Sequence, residues 1–292
     1  MKFEIDREME IPGNLIEKLR GQAFLSETME RLTNEQLEVI YEQKWFKLFV
    51  PHEFDGLNLS LPDGLMLEES LAKIDGSLGW TVTLCSGATM FIGYLDQDIA
   101  KELFYDKKVC FGGSGRVSGK AEIIQEGYLI SGKWQYATGA SHNTVFTANC
   151  ELVEDNKTLL NQDGTPVVKS FMFLRQEIEL TQDWEAMGLK ATSSDTFSVK
   201  ELKVKRNRAF EINTQRATLN NIIYRFPFKQ FAETTLAVNT LGMTLRFLEL
   251  CNEILTKKQT TINNQTQTST HTHKVLLLNA ERELFELKKS FY

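Results

Sequence analysis

The spacing of apolar residues changes twice along the chain, and this change constrains the fold more than any other feature. From Pro12 to about Tyr105, apolar residues recur every three or four positions, as on the buried side of a helix. Between Lys108 and Ile212, short runs rich in β-branched and aromatic residues alternate with Gly, Asn and Asp, which is typical of strands joined by turns. After Asn213 the helical spacing returns. Helices, strands and helices therefore occupy separate parts of the chain.

This order predicts an α+β protein with segregated layers. We expect an N-terminal all-helical domain over residues 1–106, a central antiparallel β-barrel or sandwich over residues 107–213, and a C-terminal helical domain over residues 214–292. A chain of 292 residues buries enough surface to need neither a disulfide nor a metal to hold its core.

Local signals predict where several elements begin and end. Thr33, followed three residues later by Gln36, forms a capping box that predicts the start of a helix. A stripe of apolar residues predicts one long helix over about 228–257. The polar tract 259–273 has no apolar anchors and predicts an exposed loop or disordered linker, and a last short amphipathic helix is expected over 274–291.

Composition excludes several function classes. The formal net charge of −6 argues against sequence-independent binding of nucleic acid, which needs clustered Lys and Arg. No stretch approaches the roughly 20 apolar residues of a transmembrane helix, and the charged N-terminus predicts no signal peptide. The four cysteines stand far apart without the spacing of metal ligands. We therefore expect reduced cysteines, no metal site and a cytoplasmic protein without a membrane partner.

Three blocks of the sequence carry recognisable motifs. The first runs from Pro51 to Trp80 and contains EESLAKIDGSLGW. The second runs from Ser114 to Phe146 and contains GYLISGKWQYATG, and the third begins WEAMGLKATSSD at Trp184. In this order the blocks resemble the acyl-CoA dehydrogenase superfamily. The similarity is greatest to its group D flavin-dependent monooxygenase and dibenzothiophene monooxygenase-like branch.

The resemblance implies a flavin site on the central β-domain. The residues matched to it are Phe111, Gly113, Ser114, Tyr136, Thr138 and Ser141. The first three match a strand end whose backbone and hydroxyl contact the isoalloxazine ring. Tyr136 and Thr138 match an aromatic residue that packs on the ring and a hydroxyl that hydrogen-bonds to it. The alternative is structural: these two are then alternate residues of a strand, and Thr138 opens a turn at Gly139.

The resemblance also suggests two candidate catalytic residues. His142 matches a histidine of the oxygenase branch that acts as a proton carrier near the flavin, since its pKa lies close to working pH. Its alternative role is that of an ordinary loop histidine. In some relatives a Glu on the first long bundle helix is the base that removes an α-proton. Counting back from Gly242 places that position on Ala232, next to Glu233, whose alternative role is a solvated helix-face carboxylate.

The family fold implies a C-terminal four-helix bundle, of which this chain holds only about two helices. The cofactor-gripping segment of the family, with its Arg and Phe-Gly, is replaced here by the polar tract. Without that positive charge a diphosphate loses its strongest contacts. The resemblance therefore implies FAD or FMN, and FMN needs less of the missing segment.

The function implied is a flavin-dependent oxidoreductase, namely a two-component monooxygenase acting on a small aromatic or heteroatom substrate. Two alternatives remain open at this point. One is an acyl-CoA dehydrogenase that desaturates a thioester with FAD. The other is a degenerate, non-catalytic homologue that serves as a structural or partner-binding subunit. In each case we expect a homo-oligomer held together through the C-terminal helices.

Overall fold

The computed structural model describes residues 10–259 and 267–291. Its N-terminal part is helical, with α1 (Gly13–Met29), α2 (Asn34–Glu42), α3 (Leu61–Ile74), α4 (Gly76–Thr89) and α5 (Gln97–Phe104). The predicted capping box at α2 is present: the Gln36 N–H donates to Thr33 Oγ1 at 3.2 Å, and the Thr33 N–H donates to Gln36 Oε1 at 3.0 Å. Because these bonds satisfy backbone groups that a helix end leaves unpaired, α2 begins where the sequence predicts.

Helix α4 lies at the centre of this part, as expected for a helix with almost no polar face. Ten of its 14 residues are buried. Its hydroxyl groups can be buried because they donate to carbonyls one turn earlier, as Thr81 does to Ser77 at 2.8 Å and Thr89 to Cys85 at 2.7 Å. The helix is capped by Asp75, whose Oδ1 accepts from the Leu78 N–H at 2.8 Å.

The middle of the chain forms one mixed sheet. Its strands are β1 (Phe111–Ile124), β2 (Gly127–Ala137), β3 (Val145–Glu154), β4 (Lys157–Thr158), β5 (Val168–Leu174), β6 (Glu179–Thr181), β7 (Asp195–Lys205) and β8 (Ala209–Phe210). The strand order is β6-β7-β2-β1-β3-β5-β8, and β4 pairs with β3. The prediction of a wholly antiparallel sheet is wrong in one place, because β1 and β3 run parallel, with Phe111 opposite Val145.

The predicted barrel does not close among the described strands. The edges of the sheet are β6 and β8, which have only three and two residues and are too short to pair with each other along a full strand. The sheet is nevertheless strongly curled. Trp134 on β2 and Phe173 on β5 have ring centroids 5.7 Å apart, although two strands lie between β2 and β5. Since neighbouring strands are about 4.8 Å apart, only a curled sheet brings these rings into contact.

Two helices complete the described chain, α6 (Phe228–Gln259) and α7 (Gln267–Phe291). The first matches the predicted long helix. The second begins earlier than predicted, so residues 267–273 are helical rather than a loop, whereas 260–266 lie outside the described residues. Near its C-terminal end, α7 is tied to α3 by an ion pair between Lys288 Nζ and Glu69 Oε1 at 2.6 Å.

The predicted domain boundaries after residues 106 and 213 fall between α5 and β1 and between β8 and α6. Within the described ranges, no helix is both long enough and apolar enough to cross a bilayer.

Candidate functional site

A cavity of about 210 Å³ lies between the sheet and the helices. Strands β1 and β3 form one wall, and helices α4 and α6 form the opposite wall. Its polar lining consists of Thr83, Ser114, Thr138, Thr147, Asn149, Ser170 and Thr235. Its larger apolar side chains are Leu84, Phe91, Phe210, Ile212, Phe228, Phe231 and Leu236. None of the described residues that line the cavity carries a charge, so it suits an uncharged and largely apolar molecule.

The part of β1 that lines the cavity contains glycines, because neighbouring atoms leave no room for side chains at these positions. A Cβ atom at Gly112 would lie 2.0 Å from Asn143 Nδ2, and one at Gly113 would lie 2.0 Å from the Thr147 carbonyl oxygen. Both distances are shorter than any real contact. The backbone of β1 therefore packs tightly against the loop and β3 on one side and forms part of the cavity surface on the other.

A chain of hydroxyl groups ends at the cavity. Thr192 Oγ1 donates to the Leu189 carbonyl oxygen at 2.9 Å, and Ser194 Oγ lies 2.8 Å from Thr192 Oγ1 and 2.9 Å from Thr138 Oγ1. Because each hydroxyl has one proton, Ser194 must donate to Thr192, and Thr138 must donate to Ser194. The proton of Thr138 is thus engaged inside the protein. What Thr138 offers to the cavity is an oxygen that accepts hydrogen bonds.

Three of the six predicted flavin-contacting residues line the cavity, namely Gly113, Ser114 and Thr138. Phe111 does not, because its ring is buried among the helices, 5.8 Å from that of Phe104. Ser141 is half-buried and is outside the lining.

Tyr136 points away from the cavity. Its side chain is 53% exposed, in a backbone conformation with φ of 66°. The Arg116 guanidinium lies 4.9 Å from the centre of its ring, and the Trp184 ring meets it edge-on at 6.1 Å. These contacts place Tyr136 in a surface cluster beside the cavity mouth, since Gly115, the neighbour of Arg116, lines the cavity.

His142 is near the cavity without lining it. Its ring stacks on Phe46 at 5.2 Å, and both of its ring nitrogens are buried without a hydrogen-bond partner. One of its ring nitrogens lies near the sulfur atoms of Cys85 and Cys110, and these three atoms are all within 4.8 Å of one another. Burial alone would raise the pKa of the Cys85 thiol, but its interactions with Cys110 and His142 outweigh burial and lower the pKa to about 6.

The candidate base Glu233 is outside the cavity. Its carboxylate is exposed and lies 3.8 Å from Lys229 Nζ, one helical turn earlier, whereas the neighbouring Ala232 lines the cavity. One residue on a helix is a rotation of about 100°, which explains why the two side chains point in different directions. No Asp or Glu is found among the described lining residues.

The helix wall was not predicted residue by residue. Thr83, Leu84 and Gly87 on α4 and Phe231 and Thr235 on α6 line the cavity. The lack of a polar face on α4 predicts that other elements surround this helix, but it does not identify those elements.

Behind this wall is a buried polar network. The Ser86 hydroxyl donates to Glu68 Oε1 at 3.2 Å, and Asn239 Nδ2 donates to Thr83 Oγ1 at 3.1 Å. Burial raises the pKa of Glu68 well above its ordinary value. Burial therefore favours the neutral form of the Glu68 carboxyl group.

The curled sheet and the helical layer packed against it match the fold of solved hydroxylases and monooxygenases. The crystal structure of 3-HSA hydroxylase from Rhodococcus sp. RHA1 matches 95% of this chain and 72% of its own, with a TM-score of 0.85 and 18% identity. XiaF from Streptomyces sp., solved with FADH2 and glycerol, matches 96% of this chain and 74% of its own, with a TM-score of 0.72 and 16% identity.

Proteins that are similar to this chain in sequence are also named as monooxygenases. The oxygenase subunit HsaA of a flavin-dependent monooxygenase from Mycobacterium tuberculosis is 25% identical over 239 residues, which cover 79% of this chain and 59% of that protein. Indole-3-acetate monooxygenase from Acinetobacter baumannii is 26% identical over 205 residues, which cover 70% of this chain and 51% of that protein. No family model matches the chain. The predicted resemblance to the monooxygenase branch is confirmed, and the chain spans between half and two thirds of the length of these relatives.

Proposed function

We propose that this chain is the oxygenase component of a two-component monooxygenase, which binds reduced flavin in the cavity between β1 and α6 and oxidises a small aromatic substrate. The observation that carries the proposal is the cavity itself, an uncharged slot with the hydroxyls of Ser114 and Thr138 on one side and apolar side chains on the other. The relatives named as oxygenase subunits and monooxygenases support the reaction class. When bound, reduced flavin supplies the activation of O₂ and the transfer of one oxygen atom to the substrate.

Thr138 is suited to the reduced state of the cofactor. A reduced isoalloxazine ring carries an N–H group at the position where the oxidised ring has only a lone pair. The oxygen of Thr138 accepts hydrogen bonds because its proton is engaged with Ser194. We therefore assign Thr138 the role of holding the reduced ring, with Gly113 and Ser114 beside it on β1.

An aromatic cluster at the helix side supports an aromatic substrate. The ring of Phe91 lies 5.6 Å from that of Phe210 and 5.1 Å from that of Phe228, and all three line the cavity. Such a cluster stacks on aromatic molecules and excludes water from them. A heteroatom carried on an apolar molecule fits the same surface.

The source of reduced flavin is a second protein in this proposal, because a two-component system separates flavin reduction from oxygenation. The phosphate part of the cofactor is where FMN and FAD differ. Since the described lining has no cation, the proposal covers both cofactors, and Arg116, which follows the lining residue Gly115 on β1, is a candidate contact for a phosphate. Tyr136 and Ser141 stay predictions as flavin-binding residues, and the proton-carrier role of His142 stays a prediction as well.

The acyl-CoA dehydrogenase alternative lacks a base in the described cavity lining, because Ala232 occupies the position and Glu233 is exposed. The non-catalytic alternative makes a different prediction, which is that neither flavin binds. A binding measurement therefore separates it from the proposed function.

The test is an anaerobic titration of the full chain with reduced FMN and with reduced FAD, followed by flavin fluorescence and by the thermal unfolding temperature. We expect saturable binding and a rise in the unfolding temperature with at least one of them, since a ligand of the folded state stabilises it. With a flavin reductase, NADH and ¹⁸O₂, a phenol or indole should then gain one labelled oxygen atom. A chain that binds neither reduced flavin would overturn the proposal.

A matched pair of variants locates the site. Ala232→Phe adds a ring inside the cavity and should abolish flavin binding, whereas Thr240→Phe adds the same ring on the exposed side of the same helix and should leave binding intact. The unfolding temperature of each variant without flavin shows that it is folded. Equal binding by the two variants would place the flavin elsewhere.

A further inference from the structure

Three potential metal ligands meet behind the cavity although the sequence separates them widely. Cys85 lies in the middle of α4, Cys110 immediately precedes β1, and His142 follows β2. Both sulfur atoms belong to fully buried residues, and the ligand atoms of all three lie within 4.8 Å of one another. No sequence spacing could predict this cluster, because each ligand comes from a different element.

His142 is the observation that points to a ligand. Both of its ring nitrogens are buried, and neither has a hydrogen-bond partner. Phe46 covers one face of the ring at 5.2 Å, and the residue as a whole is half-buried. A buried polar group without a partner costs free energy, and native proteins seldom leave both nitrogens of one imidazole in this state. A metal ion bound to one nitrogen removes half of that cost.

Asn143 adds an oxygen to the cluster. Its Oδ1 lies 3.3 Å from Cys110 Sγ and 3.6 Å from Cys85 Sγ. The orientation of the amide is fixed, because Asn143 Nδ2 donates to the Thr138 carbonyl oxygen at 2.8 Å. The oxygen therefore faces the two thiols. Together the cluster offers two sulfur atoms, one imidazole nitrogen and one oxygen.

We propose that Cys85, Cys110 and His142 form a transition-metal site that takes Zn²⁺, with the Asn143 oxygen as the fourth ligand. Two thiolates and an imidazole are the ligands that Zn²⁺ prefers in tetrahedral sites. Such a site holds its sulfur and nitrogen ligands roughly 3.6–3.8 Å apart, and since the ligand atoms lie within 4.8 Å of one another, the cluster needs to contract by at most about 1 Å. Binding releases to solvent the protons of whichever thiols are still protonated, and no bond other than the metal–ligand bonds is made.

A metal at this site would affect the cavity by restraining the position of Thr138. The Thr138 carbonyl oxygen accepts from Asn143 Nδ2 at 2.8 Å, so a metal that holds the Asn143 side chain would also restrain Thr138, which lines the cavity. An imidazole bound to metal cannot carry protons. This role of His142 therefore replaces the proton-carrier role, and the site does not depend on whether flavin binds.

The test is a metal titration of the full chain without flavin. After treatment with a chelator and a reductant, the wild-type chain should bind about one Zn²⁺ per chain, measured by mass spectrometry of the metal. Co²⁺ in its place should give the intense near-ultraviolet absorption of thiolate-to-cobalt charge transfer. Cys85→Ser and His142→Ala should lower the Zn²⁺ affinity at least a hundredfold. Cys251→Ser and His52→Gln remove a thiol and an imidazole outside the cluster and should keep the wild-type affinity.

The Co²⁺ spectrum of the wild-type chain tests whether thiolates bind the metal even if the variants fail to fold. Absence of the charge-transfer band, or Zn²⁺ binding that survives in both folded cluster variants, would overturn the proposal. A reduced wild-type chain that takes up no metal, and loses two mass units on mild oxidation as Cys85 and Cys110 join in a disulfide, would overturn it as well.

Discussion

The hydroxyl groups of Thr138 and Ser194 lie 2.9 Å apart, although 56 positions separate the two residues. Thr138 follows β2 and Ser194 immediately precedes β7, and β2 and β7 are neighbours in the sheet. The second and third motif blocks of the sequence thus meet here, and this hydrogen bond is one of several that join them. That bond decides what Thr138 offers to a ligand, because it uses the only proton that Thr138 has.

Replacing Thr138 by Val keeps the shape of the side chain and removes the acceptor. We expect the affinity for reduced flavin to fall about five- to tenfold, the value of one hydrogen bond of about 1–1.5 kcal/mol. The affinity for oxidised flavin should change less, because the oxidised ring lacks the N–H group. Anaerobic and aerobic fluorescence titrations measure both. Thr138→Ser should retain the preference, and an equal loss for both redox states would contradict the assignment.

Replacing Glu68 by Gln should stabilise the protein at neutral and higher pH. Burial raises the pKa of Glu68, so the folded chain keeps a proton that the unfolded chain has lost above its ordinary carboxyl pKa. The free energy of unfolding therefore falls as the pH rises from the ordinary carboxyl pKa toward the raised pKa of Glu68 in the folded chain. Gln keeps the size of the side chain and removes this pH dependence. Denaturant unfolding at pH 5 and pH 8 should show that the variant is more favoured over the wild type at pH 8 than at pH 5, and a difference independent of pH would contradict a raised pKa for Glu68.

Replacing Glu177 by Gln should destabilise the protein at neutral pH, in contrast to the replacement of Glu68. Burial would raise its pKa, but hydrogen bonds from Arg208 and from the Leu174 N–H, together with the charge of Arg208, lower it. The pair lies at the edge of the sheet, where Arg208 Nη1 donates to Glu177 Oε1 at 2.8 Å. The stabilisation is present above the ordinary carboxyl pKa and is lost as pH falls below it. Glu177→Gln should thus cost about 1–3 kcal/mol at pH 7, and the cost should shrink as the pH falls below the ordinary carboxyl pKa and through the lowered pKa of the folded chain.

A surface carboxylate provides the control for Glu177. Glu211 forms an ion pair with Arg216 at 2.6 Å, but the Arg216 side chain is largely exposed. Exposed pairs contribute little to stability, so Glu211→Gln should leave the unfolding midpoint nearly unchanged across the same pH range. A comparable loss for the two variants would mean that burial of the Arg208 pair adds nothing.

The sequence predicts what depends on neighbouring residues and misses what depends on distant ones. The capping box at Thr33 and the long helix from Phe228 follow from local spacing, and both are present. The parallel pairing of β1 with β3 and the curl that joins Trp134 to Phe173 depend on strands far apart in the chain. The cluster of Cys85 with His142 has the same origin, since its members come from separate elements and no spacing records their approach.

The C-terminal helices lead to a final prediction about assembly. Phe247, Leu250 and Ile254 lie at three- and four-residue spacing on α6, and all three side chains are exposed, Phe247 by 63%. Leu276 and Leu278 on α7 are exposed as well. Apolar side chains in such number on two adjacent helices are costly in water, and contact with a second copy of the chain would remove that cost.

We therefore expect the chain to form a homo-oligomer through α6 and α7, and Phe247→Glu to shift it toward the monomer. A charge at this position must be desolvated in the interface and has no partner there, so the association constant should fall at least tenfold. Light scattering coupled to size-exclusion chromatography measures the shift. Thr240→Glu places the same charge on an exposed position of the same helix and should leave the oligomer intact. A wild-type chain that is monomeric at micromolar concentration would contradict this arrangement, because the exposed side chains would then need no partner.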